Sequence, residues 1–284
     1  MSKAIATPSR TKEILETYDL FTKKNYGQNF LIEPGIVEKI ARSAVISDHC
    51  VVIEIGPGIG ALTQQLAYLA QKVIAFEIDE RLPKILRETL AEFDNVEIVN
   101  QDFLKVDIAA YVKSYTEQGY DVVVAANLPY YITTPILFQL FEAQAPIASI
   151  TVMMQKEVAD RFSAKPNSKD YNALSIITQY RCEVKPLMKV PSSVFQPKPA
   201  VDSAVVQFFL KKKQDQIEEE PFFAMIKGCF KQRRKTMLNN FGAFLQDKEK
   251  AMQYLESAGI DAKCRAESLT LEQFIRLYEV AYGS

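Results

Sequence analysis

The segment that most constrains the fold is Val51-Val52-Ile53-Glu54-Ile55, followed directly by Gly56-Pro57-Gly58-Ile59-Gly60-Ala61 and then by Leu62, Leu66 and Leu69 at helical spacing. A short, nearly all-apolar run reads as a buried strand, and the switch to a helical period marks a helix behind it. The glycine-rich turn between them lets a ligand come close to the backbone and presents the first amides of the helix. Further apolar runs at Val73 to Phe76, Val96 to Val99 and Val122 to Ala126 alternate with helical segments. That alternation predicts an α/β fold, with a parallel sheet covered on both faces. Helices are predicted over 61–70, 81–93, 135–143 and 156–162, and further strands over 149–154, 183–190 and 204–210.

Acids follow the second and third runs. Glu77 stands about 20 residues after the first glycine, where dinucleotide-binding units carry a ribose-binding acid. The turn alone therefore leaves a nicotinamide dinucleotide open as the ligand. The third glycine, Gly60, and the further acid Asp102 favour S-adenosylmethionine, with Glu77 on the ribose hydroxyls and Asp102 on the adenine amino group. Each acid also has a plain reading, as a helix N-cap or a solvated loop charge.

The fourth run ends in Asn127-Leu128-Pro129-Tyr130, which sets an amide, a rigid turn and an aromatic ring at the end of a buried strand. The exocyclic nitrogen of adenine is a poor nucleophile because its lone pair is delocalised into the ring. The Asn127 side-chain oxygen and a backbone carbonyl of Leu128 or Pro129 can hold its protons and favour a pyramidal, more reactive nitrogen. Pro129 fixes its own φ and holds Leu128 extended, while Tyr130 offers a face for base stacking. The plain reading is an ordinary proline turn with a buried tyrosine. If the strand order reverses between the first and fourth runs, the glycine turn and this turn emerge side by side.

Composition excludes other chemistries. The 284 residues, 48% hydrophobic, suffice for one large core and a smaller appended domain. The single histidine, His49, lies beside Asp48 before the first run and suits a surface role, so a Ser-His-Asp triad or a histidine metal site has no support. Cys50, Cys182, Cys229 and Cys264 are far apart, read as small core residues, and form neither a zinc nor a disulfide pattern. No metal is expected. A phosphate loop of the Gly-x-x-x-x-Gly-Lys-Ser/Thr type is absent. What remains needs little acid–base help, and methyl transfer from a sulfonium fits, because its leaving group departs neutral. Neither a secretory leader nor an apolar stretch near the roughly 20 residues of a membrane span is present, so a soluble cytoplasmic protein, acting as a monomer, is expected.

Lys211-Lys212-Lys213 and the polar stretch from Gln214 to Glu220 read as a linker. The boundary is set there, giving a domain over 1–213 and a small all-helical domain over 214–284. Thr270 and Gln273 are spaced as a capping box opening the last helix. Lys227, Lys231, Arg233, Arg234 and Lys235 fall within nine residues that hold no acid, and on one helix they would meet several phosphates. A solvated helix face is the equal alternative. The net charge of −1 gives no global attraction to nucleic acid, so any RNA contact must be local.

Three further segments complete a pattern: Tyr26-Gly27-Gln28-Asn29-Phe30-Leu31, Phe195-Gln196-Pro197-Lys198-Pro199-Ala200-Val201-Asp202-Ser203 and Phe230-Lys231-Gln232-Arg233-Arg234-Lys235. With the glycine turn and Asn127 to Tyr130, the chain resembles the ribosomal RNA adenine dimethyltransferases over nearly its whole length. The resemblance implies a Rossmann-like class I methyltransferase domain with a C-terminal helical RNA-binding domain, using S-adenosylmethionine to dimethylate N6 of adenosine. It further implies that Asn29, Leu31, Gly56, Gly58, Glu77, Asp102 and Asn127 line the cofactor, while Tyr130 and Phe195 contact a flipped adenine. Asn127-Leu128-Pro129-Tyr130-Tyr131-Ile132-Thr133-Thr134-Pro135 and the Phe195 segment look like the bacterial 16S branch, which modifies two adjacent adenosines in the 3′-terminal hairpin within the immature small subunit. The 23S-directed antibiotic-resistance branch is the alternative enzyme. A mainly noncatalytic assembly factor is the alternative of another class, and a NAD-dependent oxidoreductase a distant third.

Overall fold

A computed structural model describes residues 3–20, 29–129, 132–212 and 216–283. In chain order the first elements are α1 (Pro8–Thr17), β1 (Phe30–Leu31), α2 (Pro34–Ala44), β2 (Cys50–Ile55), α3 (Ala61–Ala67), β3 (Lys72–Glu77), α4 (Leu82–Thr89), β4 (Val96–Asn100), α5 (Ile108–Thr116) and β5 (Asp121–Asn127). They are followed by α6 (Thr133–Glu142), β6 (Ile147–Gln155), α7 (Lys156–Phe162), α8 (Ala173–Arg181), β7 (Cys182–Val190), β8 (Phe195–Gln196) and β9 (Ser203–Leu210). Four more helices, α9 (Glu219–Cys229), α10 (Met237–Leu245), α11 (Lys248–Ser257) and α12 (Leu271–Tyr282), complete the chain.

Seven strands form one sheet in the order β4-β3-β2-β5-β6-β9-β7, and β1 pairs with β8 in a separate two-stranded sheet. From β4 to β6 neighbouring strands are parallel, but β9 runs antiparallel to β6. The parallel sheet expected from the sequence is therefore a mixed one. Apolar alternation carries no sign of strand direction, and β9 is buried much as β6 beside it is, with Val205, Val206 and Phe208 inaccessible. Both faces are covered. Val37, Ile40 and Ala41 of α2 and Leu62 and Leu66 of α3 pack on Val52, Val123 and Ala125. On the other face Tyr111 of α5 meets Phe76 edge-on at 5.3 Å, and Phe141 of α6 meets Phe208 at 5.4 Å.

The chain divides into two compact units, Met1–Ala159 with Lys185–Leu210, and Asp160–Val184 with Lys211–Ser284. The helical unit thus takes in residues 160–184 as well as the stretch from Lys211 onward. Its helix α8 opens on a reciprocal capping box between Asn172 and Ser175, and α12 on one between Thr270 and Gln273, each satisfying two otherwise unpaired amides. Inside it, Tyr171 donates to the Leu269 carbonyl at 2.8 Å, and Arg181 joins Glu219 at 2.9 Å while lying over the Phe223 ring. Helices α1, α2, α5 and α8 go beyond the segments assigned from periodicity. No helix among the described residues is long and apolar enough to cross a membrane.

Chain order in the sheet positions everything that follows. The strands β2, β3 and β4 build outward in one direction, and the chain then returns to lay β5 on the free side of β2. Ile55 pairs with Ala126, so the turns leaving β2 and β5 start at the same level of the sheet. A Cβ built on Gly56 would sit 3.8 Å from the Asn127 carbonyl oxygen.

All six residues of β2 are buried, and one of them is Glu54, 1% exposed, with Oε2 lacking any hydrogen-bond partner among the described residues. Burial, chiefly, with the nearby charge of Glu77, raises its carboxyl to about 8. A folded-state value above the unfolded one means that stability is whole at low pH and is lost as the unfolded chain ionises first, between about 4.5 and 8. We therefore expect the Tm gap between Glu54→Gln and wild type to widen by several degrees from pH 5 to pH 8, at roughly 2–4 °C per kcal/mol for a chain of this size. A gap independent of pH in thermal melts would show that Glu54 is not held neutral by the fold.

Candidate functional site

The turns after β2, β3, β4 and β5 surround one cleft at the carboxyl ends of the strands, the place where open α/β sheets bind ligands. Its local geometry begins with Gly58, held at φ +59°, whose Cβ position would lie 3.3 Å from the Phe30 ring. Its amide donates to Glu77 Oε2 at 3.3 Å. Gly60, at φ +92°, immediately precedes the first residue of α3, and Leu86 and Leu90 press on it from α4. Any side chain at either position meets both backbone strain and an occupied neighbour.

Glu77 is 3% exposed at the end of β3, and its other oxygen, Oε1, accepts the Asp79 amide at 2.8 Å. Burial pushes its carboxyl up to about 7, against hydrogen bonds from the Asp79, Gly58 and Ile78 amides. The Asp79 side chain is in turn forked by Arg81 through Nε and Nη2. Asp102 caps the short helical turn Phe103–Lys105 by accepting the Leu104 amide at 3.0 Å, so its N-cap role and its place on the cleft wall coexist.

On the target side, Asn127 ends β5 half-buried, and Leu128 and Pro129 follow it along the wall. The Pro129 carbonyl already accepts the Ile132 amide and the Thr133 hydroxyl, each at 3.2 Å. Both its lone pairs serve the entry to α6, so of the two carbonyls expected to hold an amine, that of Leu128 is the one left. Tyr130, like Tyr26, Gly27 and Gln28, lies outside the described residues. Asn29 and Leu31 reach the cleft from β1, which pairs Leu31 with Phe195 of β8. Phe195 is only 4% exposed, packed with Leu31, Val190 and Val205, and shows an edge to the cleft.

One cleft therefore gathers Asn29, Leu31, Gly56, Gly58, Glu77, Asp102, Asn127, Leu128, Pro129 and Phe195, all in the sheet-bearing unit. Residues that the sequence reading passed over also line it. Glu54 was visible as an acid inside an apolar strand. Ile78 and Leu104 are 53% and 40% exposed, large apolar side chains beside the two acids, and nothing in their sequence neighbourhood marks them.

The basic cluster differs from its expected form. Lys227 lies in the last turn of α9, but that helix ends at Cys229, and Lys231, Arg233, Arg234 and Lys235 occupy the exposed turn before α10. The single basic helix is thus corrected to a helix end and a turn. Phe230, at the end of that helix, stacks on Phe274 and meets Tyr171 edge-on, and Asn240 donates to the Gln232 carbonyl at 3.0 Å. Within the turn Arg233 pairs with Glu267 at 3.3 Å and donates to the Lys169 carbonyl at 2.8 Å. Among the described residues no three His, Cys, Asp or Glu side chains are grouped to hold a metal.

Comparison with known proteins agrees with this geometry. The sequence profile described as ribosomal RNA adenine dimethylase matches residues 20–282. The chain is 48% identical over 286 aligned positions to ribosomal RNA small subunit methyltransferase A of Oceanobacillus iheyensis, covering 99% of this chain and 97% of the relative. Among solved structures it is similar to a dimethyladenosine transferase from Plasmodium falciparum, with a TM-score of 0.74, 28% identity and coverage of 87% and 95% of the two chains. It is also similar to the 23S rRNA methyltransferase ErmE, with a TM-score of 0.68, 28% identity and coverage of 89% and 99%. With its sheet order, its cleft and a match over almost its full length, this chain belongs to the ribosomal RNA adenine dimethylase family.

Proposed function

We propose that this chain transfers methyl groups from S-adenosylmethionine to N6 of two adjacent adenosines in the 3′-terminal hairpin of 16S rRNA, giving N6,N6-dimethyladenosines during small-subunit maturation. The observation that carries the reading is the shared cleft, with buried Glu77 on one side and the Asn127 turn on the other. Near-full-length identity of 48% to a small-subunit methyltransferase, against 28% to a 23S enzyme, favours the small-subunit branch. Its partner is then 16S rRNA in the immature subunit, met in the cytoplasm by a monomer.

The cleft fits the proposed cofactor. Exposed Ile78 and Leu104 suit the faces of an adenine, the Glu77 carboxylate suits ribose hydroxyls, and Asp102 suits the adenine amino group. Gly56 and Gly58 leave room against the backbone that a Cβ would fill, and Asn29 and Leu31 close the methionine side. S-adenosylmethionine supplies an electrophilic methyl on a sulfonium that leaves as a neutral thioether. The Asn127 oxygen and the Leu128 carbonyl accept the two amino protons of the target adenine and turn its nitrogen lone pair out of the ring plane. Pro129 holds that turn rigid, and Tyr130 and Phe195 contact the flipped base, for which stacking contributes about 1–3 kcal/mol per base. The alkylated nitrogen then loses a proton to water, so no histidine base is required. In the helical unit Lys227, Lys231, Arg234 and Lys235 bind rRNA phosphates, with Arg233 partly committed to Glu267.

Hydrogen bonds to a charged acceptor contribute roughly 1.5–3 kcal/mol, so Glu77→Ala should weaken S-adenosylmethionine binding by about one to two orders of magnitude in calorimetry. Because Glu77 must ionise through about 7 to act as a full acceptor, wild-type affinity should strengthen from pH 6 to pH 8 and flatten in Glu77→Gln. An unchanged affinity in both variants would remove Glu77 from the site. Labelled methyl transfer to unmethylated small subunits, with mapping of the modified bases, tests the reaction: two adjacent adenosines should be dimethylated, and Asn127→Ala should abolish transfer while keeping the fold and most RNA affinity. Preferential labelling of protein-free 23S rRNA would overturn the branch assignment. Replacing Lys231, Arg234 and Lys235 by Gln should flatten the salt dependence of subunit binding by up to about three released ions, whereas Arg233→Gln alone should change it least. Equal slopes for wild type and the triple variant would place the RNA contact elsewhere.

A further inference from the structure

Gln139, on α6, lines the outer side of the short helical turn that Asp102 caps. Its Nε2 donates to the Phe103 carbonyl and to the Val106 carbonyl, each at 3.2 Å. Those carbonyls flank the turn Phe103–Lys105, so one side-chain amide, with its two N–H groups, ties down both ends of it. The orientation of the amide is fixed by its neighbours, since turning it over would bring its oxygen against two other oxygens. Its Oε1 is buried without a hydrogen-bond partner among the described residues. An apolar side chain of the same length would fill the space without that unpaired acceptor, so what the amide adds here is its pair of donors. The turn it holds carries the cleft residues Asp102, Phe103 and Leu104. The helix it stands on begins at the other side of the cleft, where Thr133 and Ile132 bind the Pro129 carbonyl and where Ile132 and Ile136 line the wall.

We propose that Gln139 is a positioning residue that fixes the Asp102–Leu104 turn at a set distance from the Asn127–Pro129 turn, so that the nucleoside end of the cofactor and the target amine are held in register by a single tether. This rests on the reading of Asp102 and Leu104 as the cofactor's adenine site. Removal of the tether acts on the cofactor side, because the Asn127 turn keeps its own anchors in β5 and Thr133, whereas the Phe103–Lys105 turn loses both end bonds at once. Phe103 stays packed edge-on against Phe76 at 5.4 Å, so the turn loosens without unfolding.

The test uses the full chain with Gln139→Met, which keeps length and apolar packing and removes both donors, and with Gln139→Glu, which keeps the shape and sets a carboxylate against two carbonyls. In the protein without cofactor, amide hydrogen exchange should accelerate at Leu104, Lys105 and Val106 and stay unchanged in β2, β3 and β5. Affinity for S-adenosylmethionine and for S-adenosylhomocysteine should fall together, by about tenfold, the loss expected for one to two hydrogen bonds. In turnover the loss should appear in KM for the cofactor much more than in kcat. Unchanged exchange at the turn, or loosened exchange with wild-type cofactor affinity, overturns the proposal. Exchange that rises across the whole sheet also overturns it, by showing a structural role only. Failure of the wild type to bind S-adenosylmethionine would instead strike the cofactor reading itself, and is told apart because it precedes any variant.

Discussion

The parallel pairing of β2 with β5 is the constraint from which the rest of the site follows. Those strands are adjacent in the sheet but distant in the chain, with β3 and β4 laid on the other side of β2 before β5 forms. Where sheet order reverses, the turns leaving two neighbouring strands diverge and open a crevice between them. Register decides what meets there. With Ile55 opposite Ala126, the glycine turn and the Asn127 turn begin at one level, where a Cβ on Gly56 would come into contact with the Asn127 carbonyl oxygen. A slip of one residue would send every β5 side chain to the opposite face, carrying Val123 and Ala125 out of the α2 and α3 core. The packing that stabilises the sheet thus also sets the geometry of the cleft.

Charge is the second organising feature. Glu54 and Glu77 lie in the fully covered part of the sheet, where burial raises both carboxyls, to about 8 and about 7. Groups this far from their ordinary values cost stability and gather where a ligand offsets the cost. A cofactor with a positive sulfonium suits a pocket walled by the buried carboxyls of Glu54 and Glu77. The helical unit uses charge differently, in an exposed turn that needs no burial and that Phe230, Tyr171 and Phe274 hold in place from below.

Much of this was legible in the sequence, and the parts that were not share a cause. Strands buried on both faces betray themselves as unbroken apolar runs, so β2, β3 and β5 stand out, and the acids and glycines in the turns after them mark one rim of the cleft. The direction of β9 left no trace, because burial is the same for either direction. The two-residue strands β1 and β8 are too short for any period and pair across more than 160 positions, so the link between Leu31 and Phe195 appears only in three dimensions. The basic run looked like one helix because its local residues permit it, but α9 ends at Cys229, and the ring contacts that hold Phe230 there come from residues far along the chain. Gln139 had no signal at all, since its partners are backbone carbonyls, which look alike in every sequence.

The central claim is that cofactor and target amine meet at the β2/β5 reversal. A crystal structure of the protein with S-adenosylhomocysteine tests it most directly. The account predicts the ribose hydroxyls on Glu77, the adenine between Ile78 and Leu104 with its amino group on Asp102, and the sulfur facing the Asn127–Leu128 turn. A ligand bound with its sulfur away from Asn127, or with Glu77 free of the ribose, would contradict it.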